Sequence, residues 1–401
     1  MGLVTLTLAT VATAVPLYAV ALGLDAATVG LLVALPNVFP VLLAVPAGRA
    51  VDGRGALRWM MIGSIGLVSA PLIVATVGGS TALAVGQLLL GLFHVFLTLA
   101  SQAFVATLGT RASFERDFAW YSTSLAAGRL GGPLLAGLMI DAAGFRPAFA
   151  VVTGVLVIST GLVATLWRWR PEQVPTATTP GRAGDEPAAG TVPAAAPPPA
   201  GARALLGNVG LQLAVLSSAG VFVAIAVRQA FLPVYLSELS YSATSIGALL
   251  SIGGLAAVLV RPIMPLLSRA IGGPARTLVV AMTAVAIGVG LTGLVSSYGV
   301  IALLTVIAGL GAGVGLPLSI VTVASHVDPR SRGLALGVRL SLNRVAQLVA
   351  PVAVGAVVAA SGFAVGFALA GGALASLALL VAARVRAFEA AAATHDGRPM
   401  T

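Results

Sequence analysis

Twelve runs of about 20 apolar residues, separated by short polar segments, dominate this sequence. They lie near residues 3–23, 28–47, 57–78, 81–106, 118–140, 148–168, 206–235, 244–267, 276–296, 299–325, 333–358 and 363–385. A bilayer core about 30 Å thick needs about 20 residues per helix, because hydrocarbon offers backbone groups no hydrogen-bond partner. Only 8% of the residues are charged, whereas soluble domains carry about 25%. The sequence therefore predicts an all-α integral membrane protein with twelve transmembrane helices.

A proline-rich segment divides these runs into two sets of six. Residues 170–203 contain eight prolines among Ala, Thr and Gly, a composition that neither spans a membrane nor packs into a core. We therefore expect an N-terminal six-helix half at 1–169, a disordered cytoplasmic linker at 170–204, a C-terminal six-helix half at 205–388 and a cytoplasmic tail at 389–401.

The arginines alternate from loop to loop, and lysine is absent. The loop arginines are Arg49, Arg54, Arg58, Arg111, Arg116, Arg168, Arg170, Arg182, Arg203, Arg269, Arg276, Arg330, Arg332, Arg339, Arg384, Arg386 and Arg398. The opposite set of loops holds only Arg146. Since cytoplasmic loops carry the excess of basic residues, both termini are expected in the cytoplasm, with the chain crossing the cell membrane many times. Arginines scattered in this way form no basic face for nucleic acid.

The two halves resemble each other in sequence. A shift of 217 residues overlays 15–30 on 232–247, and a shift of 218 overlays the later spans. The matched pairs include Pro16 with Pro233, Tyr18 with Tyr235, Gly30 with Gly247, Gly91 with Gly309, Ser101 with Ser319, Pro133 with Pro351, Gly137 with Gly355, and Phe149 with Phe367. Repeated six-helix halves place a binding site between them near the bilayer midplane.

Residues 48–55, after the second run, read GRAVDGRG. This segment resembles the GxxxDRxGRR signature of the major facilitator superfamily, with Gly48, Asp52 and Gly55 in place. The resemblance extends over essentially the whole chain and implies two pseudo-symmetric six-helix halves that transport a solute by alternating access. It also implies that these three residues hold the cytoplasmic gate closed.

The fifth run carries a second motif, GRLGGPLLAG at 128–137. It is similar to the GxxxGPxxGG motif of the antiporters in this superfamily, which implies export and a conformational role for Gly128, Gly132, Pro133 and Gly137. Small residues at this spacing also let two helices pack closely, whatever the direction of transport. Both interpretations stay open at this point.

Beyond the arginines assigned to loops, four fall inside the apolar runs, namely Arg129, Arg228, Arg261 and Arg344. No carboxylate lies at comparable depth, so the interior is positively charged. A buried arginine needs an anion, carbonyl groups or water as its partner. An anionic substrate at Arg129, Arg228 and Arg344 would supply the first, while a purely structural role stays open, above all for Arg261 and Arg344.

The fourth run adds a polar stripe. Gln87, His94, Thr98 and Ser101 recur at a spacing that puts them on one face of a helix. The resemblance directs this face toward the substrate cavity. His94 is a candidate proton carrier or a hydrogen-bonded wall of the cavity. In the eleventh run Gln347 overlays Arg129 under the repeat, which adds it to the candidate substrate ligands.

The predicted function is secondary active transport of a small organic solute. We expect an exporter that acts as a monomer in the lipid bilayer and favours an anionic or zwitterionic substrate, with protons as a candidate coupling ion. A multidrug and proton antiporter, or a proton-coupled importer of an organic anion, remains an alternative. The sequence lacks cysteine, HExxH and GxxxxGK[ST], so we expect no enzyme activity, no metal and no cofactor.

Overall fold

A computed structural model describes residues 1–107, 114–166, 207–327 and 331–396, and every element in this part of the chain is helical. Thirteen α-helices are described: α1 (Gly2–Ala21), α2 (Ala26–Ala34), α3 (Val38–Arg54), α4 (Ala56–Thr76), α5 (Gly79–Thr107), α6 (Phe114–Ala143), α7 (Phe145–Leu166), α8 (Val209–Glu238), α9 (Ala243–Leu259), α10 (Met264–Ile271), α11 (Pro274–Gly290), α12 (Tyr298–His326) and α13 (Arg332–Asp396). The expected linker and the last residues of the tail lie outside the described residues, as do Arg111, Arg168, Arg170, Arg182, Arg203, Arg330 and Arg398.

Ten helices of the described chain are long and apolar enough to cross a membrane, or eleven if the bent pair α9 and α10 counts as one span. The last of the ten, Leu334–Val385, is 52 residues long. At about 1.5 Å per residue this is about two and a half times the thickness of a bilayer core. Its backbone is broken at Gly362, where φ is 82° and ψ is 171°. The predicted count of twelve is therefore reached when the bent pair is counted as one span and this helix is divided at Gly362.

Two spans are interrupted within the membrane region. The second span consists of α2 and α3 joined by a single 3-10 turn at Leu35–Asn37 that contains Pro36. The eighth consists of α9 and α10, which are bent by 73°. Arg261 lies in the turn at this bend and is exposed, so it is not inside a continuous helix as its apolar run had indicated.

The repeat is visible as matching contacts in the two halves. Tyr18 stacks on Phe145 with ring centroids 4.9 Å apart, and Tyr235 packs on Phe363 at 5.4 Å. Each phenylalanine follows a glycine of positive φ that starts the last span of its half, with values of 84° at Gly144 and 82° at Gly362. The same local geometry therefore recurs at positions 218 residues apart.

The helices define two ends of the bundle. We call the end that carries Arg49, Arg58, Arg116, Arg269 and Arg276 the arginine-rich end. The opposite end carries Asp25, Asp141 and Glu238, and we call it the carboxylate end.

One arginine at the carboxylate end has a local explanation. The Arg146 guanidinium donates hydrogen bonds to the carbonyls of Ala75 and Thr76, the former at 3.0 Å. These carbonyls lie at the end of α4 and have no partner within the helix, so a cation there caps it.

The sequence predicts that Arg339 lies in the loop after the tenth run, and this prediction is wrong. It lies inside α13 with only 4% of its surface exposed. Its Nε and Nη2 donate to the Ser319 hydroxyl of α12 at 3.1 and 2.7 Å. The helix begins at Arg332, so Arg339 lies two turns inside it, and this hydroxyl gives the guanidinium a buried partner.

Candidate substrate-binding site

The two halves meet at the carboxylate end along two seams. One seam joins α6 to α9, where Gly247 lies against the Pro133 carbonyl; the other joins α2 to α13, where Gly30 lies against the Pro351 carbonyl. A Cβ atom at either glycine would collide with that backbone. These prolines and glycines are matched pairs of the repeat, so the two seams have the same backbone packing.

The four motif residues of α6 serve two interfaces. Gly128 and Gly132 face α1, and the Thr10 hydroxyl donates to the Gly132 carbonyl at 3.1 Å. Gly137 faces α9, where a Cβ would collide with the backbone of Ala243. The small residues therefore pack α6 tightly both within its own half and against the other half. Packing is thus a sufficient reason for their spacing, and their role in gating stays a prediction.

Three cationic or titratable side chains come together at the centre of the bundle. Arg344 and Arg129 both lie within electrostatic range of His94. Arg129 is also within range of Arg344 and of Arg261. His94 and Arg129 belong to α5 and α6 of the first half, while Arg344 belongs to α13 of the second. We call His94, Arg129 and Arg344 the central basic cluster.

Two side chains at the level of the cluster have accessible surface. Arg129 lies in the middle of α6 and yet its side chain is exposed, as is Ser341 on α13, one turn before Arg344. The described seams between the halves lie toward the carboxylate end. Pro133 and Pro351 follow Arg129 and Arg344 along α6 and α13, so these seams lie nearer the carboxylate end than the central basic cluster does.

The remaining residues of the polar stripe differ in their environment. Gln87 is buried, and its Nε2 donates to the Leu32 carbonyl of α2 at 3.3 Å. Thr98, one turn from His94, has a buried hydroxyl without a partner among the described residues. Ser101 is buried against the Tyr121 hydroxyl at 3.1 Å. Thr98 is thus the stripe residue whose hydrogen-bonding capacity is left for a ligand.

Gln347 is half-buried, and its Nε2 donates to the Asn343 carbonyl one turn earlier at 3.2 Å. The Asn343 side chain accepts a hydrogen bond from the Ser218 hydroxyl at 2.9 Å, and its Nδ2 is buried without a partner in the described chain. Asn343 adjoins Arg344, so this free donor belongs beside the central basic cluster. Asn343 and Ser218 were not among the site residues predicted from the sequence.

Arg228 lies away from the cluster. It is ten residues beyond Ser218 on α8, about 15 Å nearer the carboxylate end. Its Nη1 donates to the Thr305 carbonyl at 3.4 Å, and its Nε has no partner in the described chain. The Thr305 hydroxyl is also buried and unpartnered. Arg228 is therefore a separate cationic position inside the second half.

The loop with the first signature lies at the arginine-rich end. Gly48 and Asp52 are in the last turns of α3, and Gly55 follows with φ 87°, a conformation that favours glycine. The indole of Trp59 donates to the Ala50 carbonyl at 2.7 Å and fixes the turn. The Asp52 side chain lies outside the described residues, so its gating contact stays a prediction.

The two halves are matched again near the site by polar pairs that join neighbouring helices. Ser101 meets Tyr121 between α5 and α6, and Ser319 meets Arg339 between α12 and α13. Both residues of one pair lie 218 positions from those of the other. The repeat could therefore have identified Arg339 as a buried partner of a serine.

Among the described residues, no group of three or more His, Asp or Glu side chains could hold a metal ion. The central basic cluster offers guanidinium and imidazole donors, a set that suits an anion rather than a cation. A family model, the Major Facilitator Superfamily, matches residues 1–276 and again 218–398. The chain belongs to this superfamily. Family membership and fold make it a multi-pass membrane transporter of a solute.

Solved structures agree in fold. A mutant of the nucleoside transporter NupG is 16% identical, with a TM-score of 0.71 over 96% of this chain and 98% of that one. A bacterial homologue of the human lysosomal transporter Spinster, inward-facing and unoccupied, is 15% identical, with a TM-score of 0.69 over 96% and 95%. A POT family transporter in complex with 5-aminolevulinic acid is 13% identical, with a TM-score of 0.73 over 95% and 93%. No curated protein matches the chain.

Proposed function

We propose that this superfamily member exports a small organic anion or zwitterion by alternating access, and that it does so as a monomer in the cell membrane with both termini in the cytoplasm. The observation that carries the proposal is the central basic cluster, in which each half contributes an arginine. A ligand held by Arg129 and Arg344 would join the halves at the pivot of the transport cycle.

Charge compensation supports an anionic substrate. An arginine at the bilayer centre costs at least about 2.5–3.5 kcal/mol on insertion scales. Within the part of the chain that the structure describes, the only ion pair joins Arg116 to Asp117, at 3.6 Å, far from the cluster. A carboxylate or phosphate accepts two parallel hydrogen bonds from one guanidinium. An anionic ligand would therefore satisfy the cluster, whereas a hydrophobic cation would add to its charge.

The proposed direction depends on the similarity of 128–137 to the antiporter motif. We propose export coupled to protons, with His94 as the candidate carrier because an imidazole can gain and lose a proton near neutral pH. Solute flux in vesicles of known orientation, with and without a proton gradient, tests direction and coupling together. Uptake into right-side-out vesicles with the gradient would instead favour the importer.

Thermal stabilisation of the purified protein tests the substrate class. A ligand that binds only the native state raises the melting temperature, by an amount that corresponds to about 2.7 kcal/mol at a hundred times its dissociation constant. The panel should contain organic anions, zwitterions, neutral solutes and hydrophobic cations. 5-Aminolevulinic acid, which carries an amine and a carboxylate and is bound in one structural neighbour, is a suitable member.

Arg129→Ala and Arg344→Ala should each abolish stabilisation by the anions that stabilise the wild type. Arg269→Ala is the matched control, because Arg269 is an exposed arginine on α10 at the arginine-rich end. Stabilisation of the wild type and both central variants by the same hydrophobic cations would overturn the anion proposal and favour a multidrug antiporter. Anion stabilisation that persists in both variants would show that the cluster is structural.

A further inference from the structure

Asp141 makes a contact between the halves that its position at the end of a span did not reveal. It lies near the end of α6, and its side chain is exposed. One carboxylate oxygen accepts a hydrogen bond from the Ala243 backbone N–H at 3.1 Å, and the other accepts one from the Thr244 N–H at 2.7 Å. Those residues begin α9, so the bonds cross from the first half to the second.

The first turn of α9 is consequently capped by two parts of the chain. Ser242 precedes the helix, and its hydroxyl accepts from the Ser245 N–H at 3.2 Å. Asp141 accepts the hydrogen bonds of the two N–H groups that precede Ser245, those of Ala243 and Thr244. The first N–H groups of a helix have no partner within the helix, and its dipole favours a negative charge there. A carboxylate with two charge-assisted bonds is a strong form of this contact.

The corresponding helix start in the first half is capped differently. Asp25 precedes α2 and accepts from the Thr28 N–H at 2.9 Å, a bond within one half. The position that corresponds to Asp141 under the shift of 218 is Ala359, which has no acceptor side chain. The carboxylate between the halves is therefore present at one seam and has no counterpart at the other.

We propose that Asp141 is a latch that holds the carboxylate end closed and is released once in each transport cycle. Asp141 moves with the first half and its donors move with the second, so both bonds exist only while this end is closed. A contact made in one state and lost in the other shifts the population of the two states. The latch rests on alternating access alone, so failure of the anion panel would leave it standing.

Distance measurements between spin labels can follow both ends of the bundle. The sequence contains no cysteine, so engineered cysteine pairs carry no background. Val77 and Ser296 are exposed at the carboxylate end, one in each half; Ala106 and Ala270 are exposed toward the arginine-rich end. Asp141→Asn keeps the shape of the side chain but removes its charge and one acceptor. We expect the ratio of open to closed carboxylate ends to rise about five- to tenfold.

A second variant removes a donor instead of the acceptor. Ala243→Pro lacks the N–H at the first helical position, where proline is favoured. The preceding Ser242 has the extended ψ of 153° that a residue before proline requires. This variant should shift the same distances by less, since one of two bonds remains, and it carries the test if Asp141→Asn does not fold.

Asp25→Asn is the matched control, because it removes a carboxylate at the same end that bonds only within its own half. It should leave both distance distributions unchanged. An equal shift in this control would overturn the latch, since loss of any acidic charge at that end would then suffice. Unchanged distances in both Asp141→Asn and Ala243→Pro would overturn it as well.

Discussion

The two halves of this transporter share a backbone plan and differ in the polar contacts built on it. At the α2–α13 seam the contact beyond the glycine–proline packing is apolar, and a pocket of about 300 Å³ lies there between side chains such as Leu35 and Leu348. At the α6–α9 seam Asp141 adds two charge-assisted hydrogen bonds. The comparison teaches that the repeat sets where the halves touch, while departures from it set how strongly.

The same difference recurs inside each half. Ser101 and Tyr121 form a pair of neutral hydroxyls, whereas the matched Ser319 holds the Arg339 guanidinium through two of its nitrogens. A buried hydrogen bond to a charged group contributes about 1.5–3 kcal/mol, and a neutral one about 1 kcal/mol. The second half therefore depends more on its serine than the first half does.

Replacing each of these serines by alanine tests the difference between the halves. The loss of stability at Ser319 should be the largest of the expected effects. Ser319→Ala leaves Arg339 buried with only a 3.4 Å contact to the Leu316 carbonyl. We expect the free energy of unfolding to fall by about 3 kcal/mol, against about 1 kcal/mol for Ser101→Ala. Melting temperatures of the two purified variants measure the difference.

Two further variants make that test specific. Ser319→Thr retains the hydroxyl and should keep most of the stability. Arg339→Met in the Ser319→Ala background should restore part of it, because replacing both buried partners by apolar groups costs little. Equal losses for Ser319→Ala and Ser101→Ala would show that the charge at Arg339 adds nothing.

The shared packing of the two seams predicts effects of equal size. Gly30→Ala and Gly247→Ala each place a Cβ against a backbone carbonyl, of Pro351 and Pro133 respectively, and a carbonyl cannot turn aside as a side chain can. Overpacking of this kind costs about 2 kcal/mol. That cost falls on the state closed at the carboxylate end, so each variant should open that end.

Thiol labelling measures the opening. Leu17 is buried between the halves at the carboxylate end, so Leu17→Cys should react with a membrane-impermeant reagent at least tenfold faster in either glycine variant. Gly154→Ala is the control, because no atom lies within 4 Å of a Cβ built there. Acceleration by only one of the two variants would mean that the seams do not close together.

The features predicted best from the sequence are those that the bilayer enforces. Apolar runs and an all-helical chain follow because hydrocarbon leaves the backbone no other hydrogen-bond partners, and the matched halves follow from the repeat in the sequence. Arg129, His94 and Arg344 were predicted from depth and helical spacing, and the structure does bring them together. Because a charge inside a membrane is costly, its position in the sequence makes it a candidate for a functional role.

The features that escaped prediction depend on contacts across the repeat. Arg339 follows a polar loop, and the arginine distribution assigned it there, because its serine partner lies on another helix. Asp141 stands at the end of a span, where a carboxylate is unremarkable until its donors on α9 are known. Gln87 has the spacing of the polar stripe, but its side chain donates to the Leu32 carbonyl. This part of the α5 face is buried against α2, which the spacing alone does not indicate.

The smallest expected effect is the pH dependence of the stability that the Asp25 cap contributes, in contrast to Asp141, whose bonds cross between the halves. Hydrogen bonds from Thr28 hold the pKa of the Asp25 carboxyl below its usual range. A carboxyl whose pKa is lower in the folded state adds stability above the pKa of the unfolded chain, and that stability is lost as the pH falls through the folded value. Asp25→Ala should therefore lower the melting temperature slightly at neutral pH, and the gap from the wild type should close below about pH 4. At each pH the spin-label distances should be the same in Asp25→Ala as in the wild type, because this cap joins nothing across the seam. A gap that persists in acid would mean that packing of the side chain, and not its charge, stabilises α2.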